Sequence, residues 1–423
     1  MNIKSFKNEP ITVLKEMDIH NRIIGYVFIN NVQLIGRNFH YPNVLCHKMD
    51  TNCVISPYDE TIMSLNKSSF YDNNMYNDNI KELTNPIIIK EPLFFFIYNI
   101  DNYYHFLYDT LPYLYTYLEL KKQFPTLKLL INYPTEDKKE FYKFNTEFLN
   151  KLINEKDIII HTKNNIYNKL FISTSLTHGG LSNSPPRKEI YTIYDTLKQH
   201  INMNNINDKY KSSDYKNMYI SRRTWLNKDT SNIGTDYTSR RTMVNETELV
   251  LYLQQYNFKE VFAENLNTDE KIYLFSNANK ICGSIGGGMS NLLFSSHKTK
   301  SYVIVSPYFL DINYRFRYSL NHTDIEYYNQ TEVYKNPKST HSLYIRVKIT
   351  NNNSPYFNKI GEITEFVENV TNNPYKISLS NNNVAGFNNN TIFETVFVNI
   401  EDFEPLDNGL NSPYCFNFKN TNI

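Results

Sequence analysis

Three stretches of this 423-residue chain bring residues of useful chemistry together at telling spacings. The first is Ile281-Cys282-Gly283-Ser284-Ile285-Gly286-Gly287-Gly288-Met289-Ser290-Asn291, which follows an apolar run and leads into Leu292-Leu293-Phe294. Glycines let a backbone come close to a ligand and aim its N–H groups at it. A helix starting near Ser290 would add positive potential for a phosphate. The spacing is neither a Walker A loop nor a dinucleotide fingerprint, so a tight structural turn stands beside the phosphate reading. The second stretch is Tyr219-Ile220-Ser221-Arg222-Arg223, with Arg240 and Arg241 ahead of Asn245-Glu246. Arginine's planar fork suits bidentate phosphate contacts, although such arginines also form ordinary surface ion pairs. The third is Asn102-Tyr103-Tyr104-His105-Phe106-Leu107-Tyr108-Asp109-Thr110-Leu111-Pro112. One helical turn separates His105 from Asp109 and puts both on one face, as a general base with its partner or as a local cap and ion pair.

The elements around these stretches place all three at strand ends. Residues 1–90 hold short β-like runs between Asn-rich turns, the clearest being Ile23–Ile29 and Val32–Ile35, and read as a β-rich N-terminal extension. Strands and helices then alternate through residues 91–210. Strands are expected near 87–89, 94–96, 128–131, 158–160 and 170–173, and helices over 105–124, 136–154 and 188–200. Pro112 should kink or restart the first helix. Asn204–Lys216 reads as a linker. Alternation resumes over 211–310. Met218–Ile220, Phe258–Phe262, Ile281–Cys282 and Tyr302–Val305 are strands, and two helices open on the capping pairs Asn245/Glu248 and Asn267/Glu270. Two α/β halves result, and ligands of such sheets bind at the carboxyl ends of strands. Residues 311–423 form an Asn-rich tail with β-like pieces at Tyr344–Ile349 and Thr395–Val398 and no assigned role. His178-Gly179-Gly180, ahead of Ser184-Pro185-Pro186, reads as a structural loop.

Composition narrows the class. With 44 basic against 43 acidic residues, the chain lacks the basic surplus of a nucleic-acid binder. Its 35 Tyr and 27 Phe reflect a general bias of the sequence more simply than a sugar-stacking surface. Of the cysteines Cys46, Cys53, Cys282 and Cys415, the first two could bridge, no pair has zinc-site spacing, and free buried thiols are the expectation. The N-terminus has no apolar core of signal-peptide length, and Pro92–Ile100 is too short to span a bilayer. A soluble, intracellular protein is the expectation. No Asp-x-Asp pair occurs, which argues against a metal-held diphosphate.

Taken together and in this order, the segments resemble glycosyltransferase family 61. That family carries Asn-x-x-His-Phe-x-x-Asp followed by Leu-Pro, matched by Asn102, His105, Phe106, Asp109, Leu111 and Pro112. It also shows Ser-Arg-Arg at a strand end, an arginine before Asn-Glu, and a glycine turn ending in Asn-x-x-Phe. Ser221, Arg222, Arg223, Arg241, Asn245, Glu246, Gly283, Gly286, Gly288, Asn291 and Phe294 fit those places, over about residues 90–310. The resemblance implies a GT-B-like fold, with two Rossmann-like halves facing across a cleft. It implies inverting transfer from a nucleotide sugar, often a UDP-sugar, to a glycan or protein hydroxyl, with no separate cofactor or metal. Donor contacts would fall on Ser221, Arg222, Arg223, Arg241, Asn245, Glu246, Gly286, Gly287, Gly288 and Asn291. Asp109 would be the base, with His105 orienting it or the acceptor. Two departures stand out: Ile285-Gly286-Gly287 replaces the family's His-Gly-Ala, and Tyr113 replaces the arginine after Leu-Pro. The first leaves room for a non-catalytic glycan- or nucleotide-binding member. The Asn- and Tyr-rich ends leave room for a structural particle or surface protein.

Overall fold

The computed structural model describes residues 4–7, 24–34, 44–48, 51–56, 61–64, 85–97, 100–134, 139–162, 164–173, 176, 188–223, 243–305, 324–328, 331–333, 346–367, 372–380, 393–405 and 414–421. The chain divides into two compact units, Met1–Met203 with Arg315–Asn321, and Asn204–Tyr314 with His322–Ile423. Both are mixtures of helix and sheet with parallel strands. No described helix is long and apolar enough to cross a membrane.

The first unit is built on one mixed sheet. In chain order its strands are β1 (Lys4–Lys7), β2 (Ile24–Leu34), β3 (Val44–Lys48), β4 (Thr51–Ser56), β5 (Thr61–Ser64), β6 (Ile87–Phe95), β7 (Lys128–Ile131), β8 (Ile158–Ile160) and β9 (Asn165–Ser173). They lie in the order β5-β4-β3-β2-β9-β6-β7-β8, with β1 on β2. The N-terminal strands pair antiparallel and continue the same sheet, while β9, β6, β7 and β8 are parallel. The parallel strands read as unbroken apolar runs because both of their faces are covered: Leu93, Phe94, Phe95, Leu129, Leu130 and Ile131 are all fully buried. Among the helices are α1 (Leu114–Gln123), α2 (Lys143–Leu152) and α3 (Thr192–Gln199). Phe144, Phe148 and Leu149 form the buried stripe of α2. The two phenylalanine rings meet Tyr103 and Phe106, 5.1 Å from Phe144 to Tyr103 and 5.6 Å from Phe144 to Phe106. That packing holds the segment carrying His105 and Asp109 against the sheet.

The second unit contains a five-stranded parallel sheet: β10 (Asn217–Ile220), β11 (Lys259–Val261), β12 (Lys280–Ser284), β13 (Lys300–Ile304) and β14 (Asp324–Tyr328). Their order is β11-β10-β12-β13-β14. The chain thus starts in the interior, adds β11 on one side, and returns to add the rest on the other. The winding reverses between β10 and β12, the place where open α/β sheets bind ligands at their carboxyl ends. Helix α4 (Glu246–Gln254) precedes β11, and α5 (Thr268–Asn277) precedes β12.

Two local expectations are corrected. Asn204–Lys216 is not a linker. It winds into three short 3-10 turns tied to the start of α5: Asn205 Nδ2 donates to Asp269 Oδ2 (2.8 Å), and Asn207 N to Glu270 Oε1 (3.1 Å). A polar stretch looks like a linker when its partners lie some 60 residues ahead. The capping box at Asn267/Glu270 is present, but Asn245 makes no side-chain cap, because its amide is engaged elsewhere. Beyond β14, strands Arg346–Ile349, Ile360–Phe366, Tyr375–Ser380, Phe393–Val398 and Phe403–Pro405 form an antiparallel sheet with its own apolar cluster around Val347, Ile363 and Ile377. Thr331–Val333 pairs with Tyr414–Phe416.

Candidate active site

In the first unit, the helical run after β6 changes register three times. Asn102 caps it, accepting from His105 N at 3.2 Å, so the motif's asparagine serves the backbone. Tyr103–His105 is α-helical, Phe106–Thr110 is π-helical, and Leu111–Tyr113 is a 3-10 turn leading into α1. Pro112 explains the disturbance, since it has no N–H to continue the ladder. The Leu111 N–H reaches five residues back to Phe106 O. The Leu107 carbonyl, whose π partner would be Pro112, accepts instead from Tyr194 Oη at 2.7 Å. Widened turns of this type gather at functional sites. Here the turn carries His105 and Asp109, with Nδ1 to Oδ2 at 2.6 Å. The Asp109 side chain is 1% exposed, whereas that of His105 is 37% exposed. The buried carboxylate can hold the Nδ1 proton of the ring and leave Nε2 for a substrate, the arrangement of an oriented general base.

In the second unit, the chain leaves β10 as Ser221-Arg222-Arg223 and leaves β12 as the glycine turn, on the two sides of the winding reversal. Arg222 Nη1 donates to Ile285 O at 3.0 Å, which lays the guanidinium along the turn and leaves its other N–H groups for a ligand. Gly286 has φ +155°, and a Cβ there would sit 2.4 Å from Arg222 Nη1. Only glycine both adopts that backbone and admits the guanidinium. A Cβ on Gly288 would lie 2.9 Å from Ile220 Cγ2, so this residue lets the turn pack on the end of β10. The 3-10 helix Gly287–Phe294 starts here rather than at Ser290. Its leading N–H groups, on Gly287 and Gly288, have no carbonyl one turn back to bond. Asn291 is buried and closes the helix from inside, with Nδ2 donating to Gly288 O at 2.9 Å.

Other residues expected at the donor turn out to hold the frame. Glu246, at the start of α4, is 1% exposed. Its Oε1 accepts from Tyr219 Oη (2.9 Å), Ser221 Oγ (3.3 Å) and Arg222 N (2.7 Å), fixing the turn that aims Arg222. Burial pushes its carboxyl above the usual carboxylate range, and these hydrogen bonds pull the other way. Arg223 is committed to Glu260 through Nε (2.8 Å) and Nη2, with Nη1 on Thr247 Oγ1 at 3.2 Å. Its fork is occupied by a protein carboxylate, whereas that of Arg222 is not. Asn245 binds the Phe416 backbone through both amide atoms. Tyr219 and Glu260 had no signal in the sequence beyond being strand residues. Arg240 and Arg241, and the loop His178 to Pro186, lie outside the described residues.

Residues 103–302 match the family model described as Glycosyltransferase 61. Over that stretch the chain is similar to the glycosyltransferases of family 61. The match supports glycosyltransferase activity in general. A search of curated proteins found no match. Within residues 103–302 the two departures from the family pattern have structural readings. Ile285 is buried, and its contribution is made by the backbone: its carbonyl takes Arg222 and its N–H donates to Ile304 O at 2.9 Å. A side-chain change leaves that contact in place. Tyr113 is fully buried in the turn after Pro112, where a charge would be costly.

Proposed function

We propose that this family 61 glycosyltransferase is an inverting, metal-independent enzyme of GT-B type, transferring a sugar from a UDP-sugar to a hydroxyl of a glycan or glycoprotein. The observation that carries the donor reading is the meeting of Arg222 with the glycine turn at the reversal between β10 and β12. A guanidinium with free N–H groups, two unbonded backbone N–H groups and a helix start suit a diphosphate. In the step proposed, His105 Nε2 takes the proton from the acceptor hydroxyl, and that oxygen attacks the anomeric carbon. The bond from that carbon to the diphosphate oxygen breaks. The charge left on the diphosphate is met by Arg222 and the N–H groups of Gly287 and Gly288. Asp109 orients the ring and stabilises its charged form. This exchanges the roles given to the pair from sequence, because the carboxylate is the buried member and the imidazole the exposed one. The backbone origin of the Ile285 contact supports a turn that still binds its donor, against the non-catalytic alternative.

Thermal unfolding with UDP, GDP, CMP and their common sugar conjugates tests the reading. A ligand at about 100 times its Kd stabilises the fold by roughly 2.7 kcal/mol. A clear shift with UDP and UDP-sugars is expected. A shift with another nucleotide alone would replace UDP as the donor base, and no shift with any would remove the donor site.

A further inference from the structure

The loops assigned to the donor are tied to a strand far outside the family domain. Asn245 Nδ2 donates to Phe416 O at 2.8 Å, and Phe416 N returns a bond to Asn245 Oδ1 at 3.0 Å. Val244 N donates to Tyr414 O at 2.9 Å, so Tyr414–Phe416 lies along the approach to α4. From there Tyr414 Oη donates to Ser284 Oγ at 2.8 Å, a contact between residues 130 apart in sequence. Tyr414 is 1% exposed and belongs to the apolar cluster that includes Tyr219, Leu249, Cys282 and Phe416. Phe418 continues the contact against Tyr252, with ring centroids 5.1 Å apart.

Filling that space needs only a ring, and phenylalanine would serve. A tyrosine there buries a hydroxyl, which is costly unless it is bonded. Its partner, Ser284, is the last residue of β12. The next residue, Ile285, holds Arg222 through its carbonyl, and the one after is Gly286 with its unusual φ. We infer that Tyr414 is a positioning residue for the glycine turn, and that the strand Tyr414–Phe416 clamps both the turn and the start of α4. The part of this inference that concerns nucleotide binding rests on the donor reading above; the part that concerns the turn's mobility does not.

Tyr414→Phe keeps the ring and removes one hydrogen bond; Ser284→Ala removes the other partner. Amide hydrogen exchange over residues 284–291, with β13 as internal reference, reads the turn directly. In either variant, exchange over 284–291 should be about two- to tenfold faster, the worth of one ordinary hydrogen bond, with β13 unchanged. The Kd for UDP should rise by a similar factor, and the double variant should be no worse than Tyr414→Phe alone. Wild-type exchange at the turn in Tyr414→Phe overturns the clamp. Equal acceleration in β13 overturns it too, since that is general loosening. A faster turn with unchanged UDP affinity overturns the positioning role. A wild-type protein that binds no nucleotide removes the donor reading, while exchange still decides the clamp.

Discussion

The His105–Asp109 pair and the Arg222 cradle are assembled in opposite ways. The pair stands four residues apart on one helical run, and the helix alone brings it together. The cradle joins Arg222 to Ile285, 63 residues away, and to Glu246, 24 residues away. It exists only because β10 and β12 are neighbours in the sheet. A local pair tolerates distortion around it, and here it survives a π turn and a proline. A non-local cradle depends on every contact that fixes its loops. The two should also fail differently: the pair by losing proton transfer, the cradle by losing its hold on the leaving group.

The largest effect is expected at the pair. His105→Ala should lower transfer by about 10²–10⁴-fold with UDP affinity unchanged, as for loss of a general base. Steady-state kinetics beside calorimetric UDP binding would show it, and a variant of near wild-type rate would end the assignment. Next, Arg222→Ala should lower turnover by about 10²–10³-fold and weaken UDP binding, leaving the fold intact. Arg223→Ala sharpens the contrast within the cradle. It breaks the pair with Glu260, so it should cost about 1–3 kcal/mol in urea unfolding while the folded variant still transfers sugar. Gly286→Ala should cost roughly 1–3 kcal/mol of backbone strain and displace the guanidinium, seen as weaker UDP binding in titration.

The smallest effect is on pH dependence. Burial raises the Glu246 carboxyl above its ordinary value of 4.5, so the folded protein holds that proton more tightly than the unfolded chain. The resulting stability is full below the ordinary value and is lost as pH rises through the raised one. Glu246→Gln should flatten that part of the profile in urea unfolding, above the ordinary carboxylate value of 4.5. Identical slopes in the two proteins would contradict it.

What the sequence made legible follows the same division. The i, i+4 spacing of His105 and Asp109 and the disturbance at Pro112 could be read directly, because a helix fixes both. The π register could not, since it depends on Tyr194 taking up the Leu107 carbonyl. The alternation of strands and helices announced two α/β regions, and the motif order pointed to the family whose model matches residues 103–302. Spacing alone could not divide labour among the residues expected at the donor. Arg222 and Arg223 look equivalent until Glu260 in the neighbouring strand is seen to claim only the second. Asn245 has the pattern of a helix cap, and only the C-terminal strand shows why it does not cap. The tail gave no sign of Tyr414 because its partner lies in another element altogether.

The central claim is that Arg222 and the glycine turn bind the donor while His105 does the proton transfer. Calorimetric titration of UDP into wild type, Arg222→Ala and His105→Ala tests it most directly. The account expects His105→Ala to bind like wild type and Arg222→Ala to bind at least about tenfold more weakly, a loss of about 1.4 kcal/mol. Equal binding by Arg222→Ala and wild type, or binding lost with His105 instead, would contradict it.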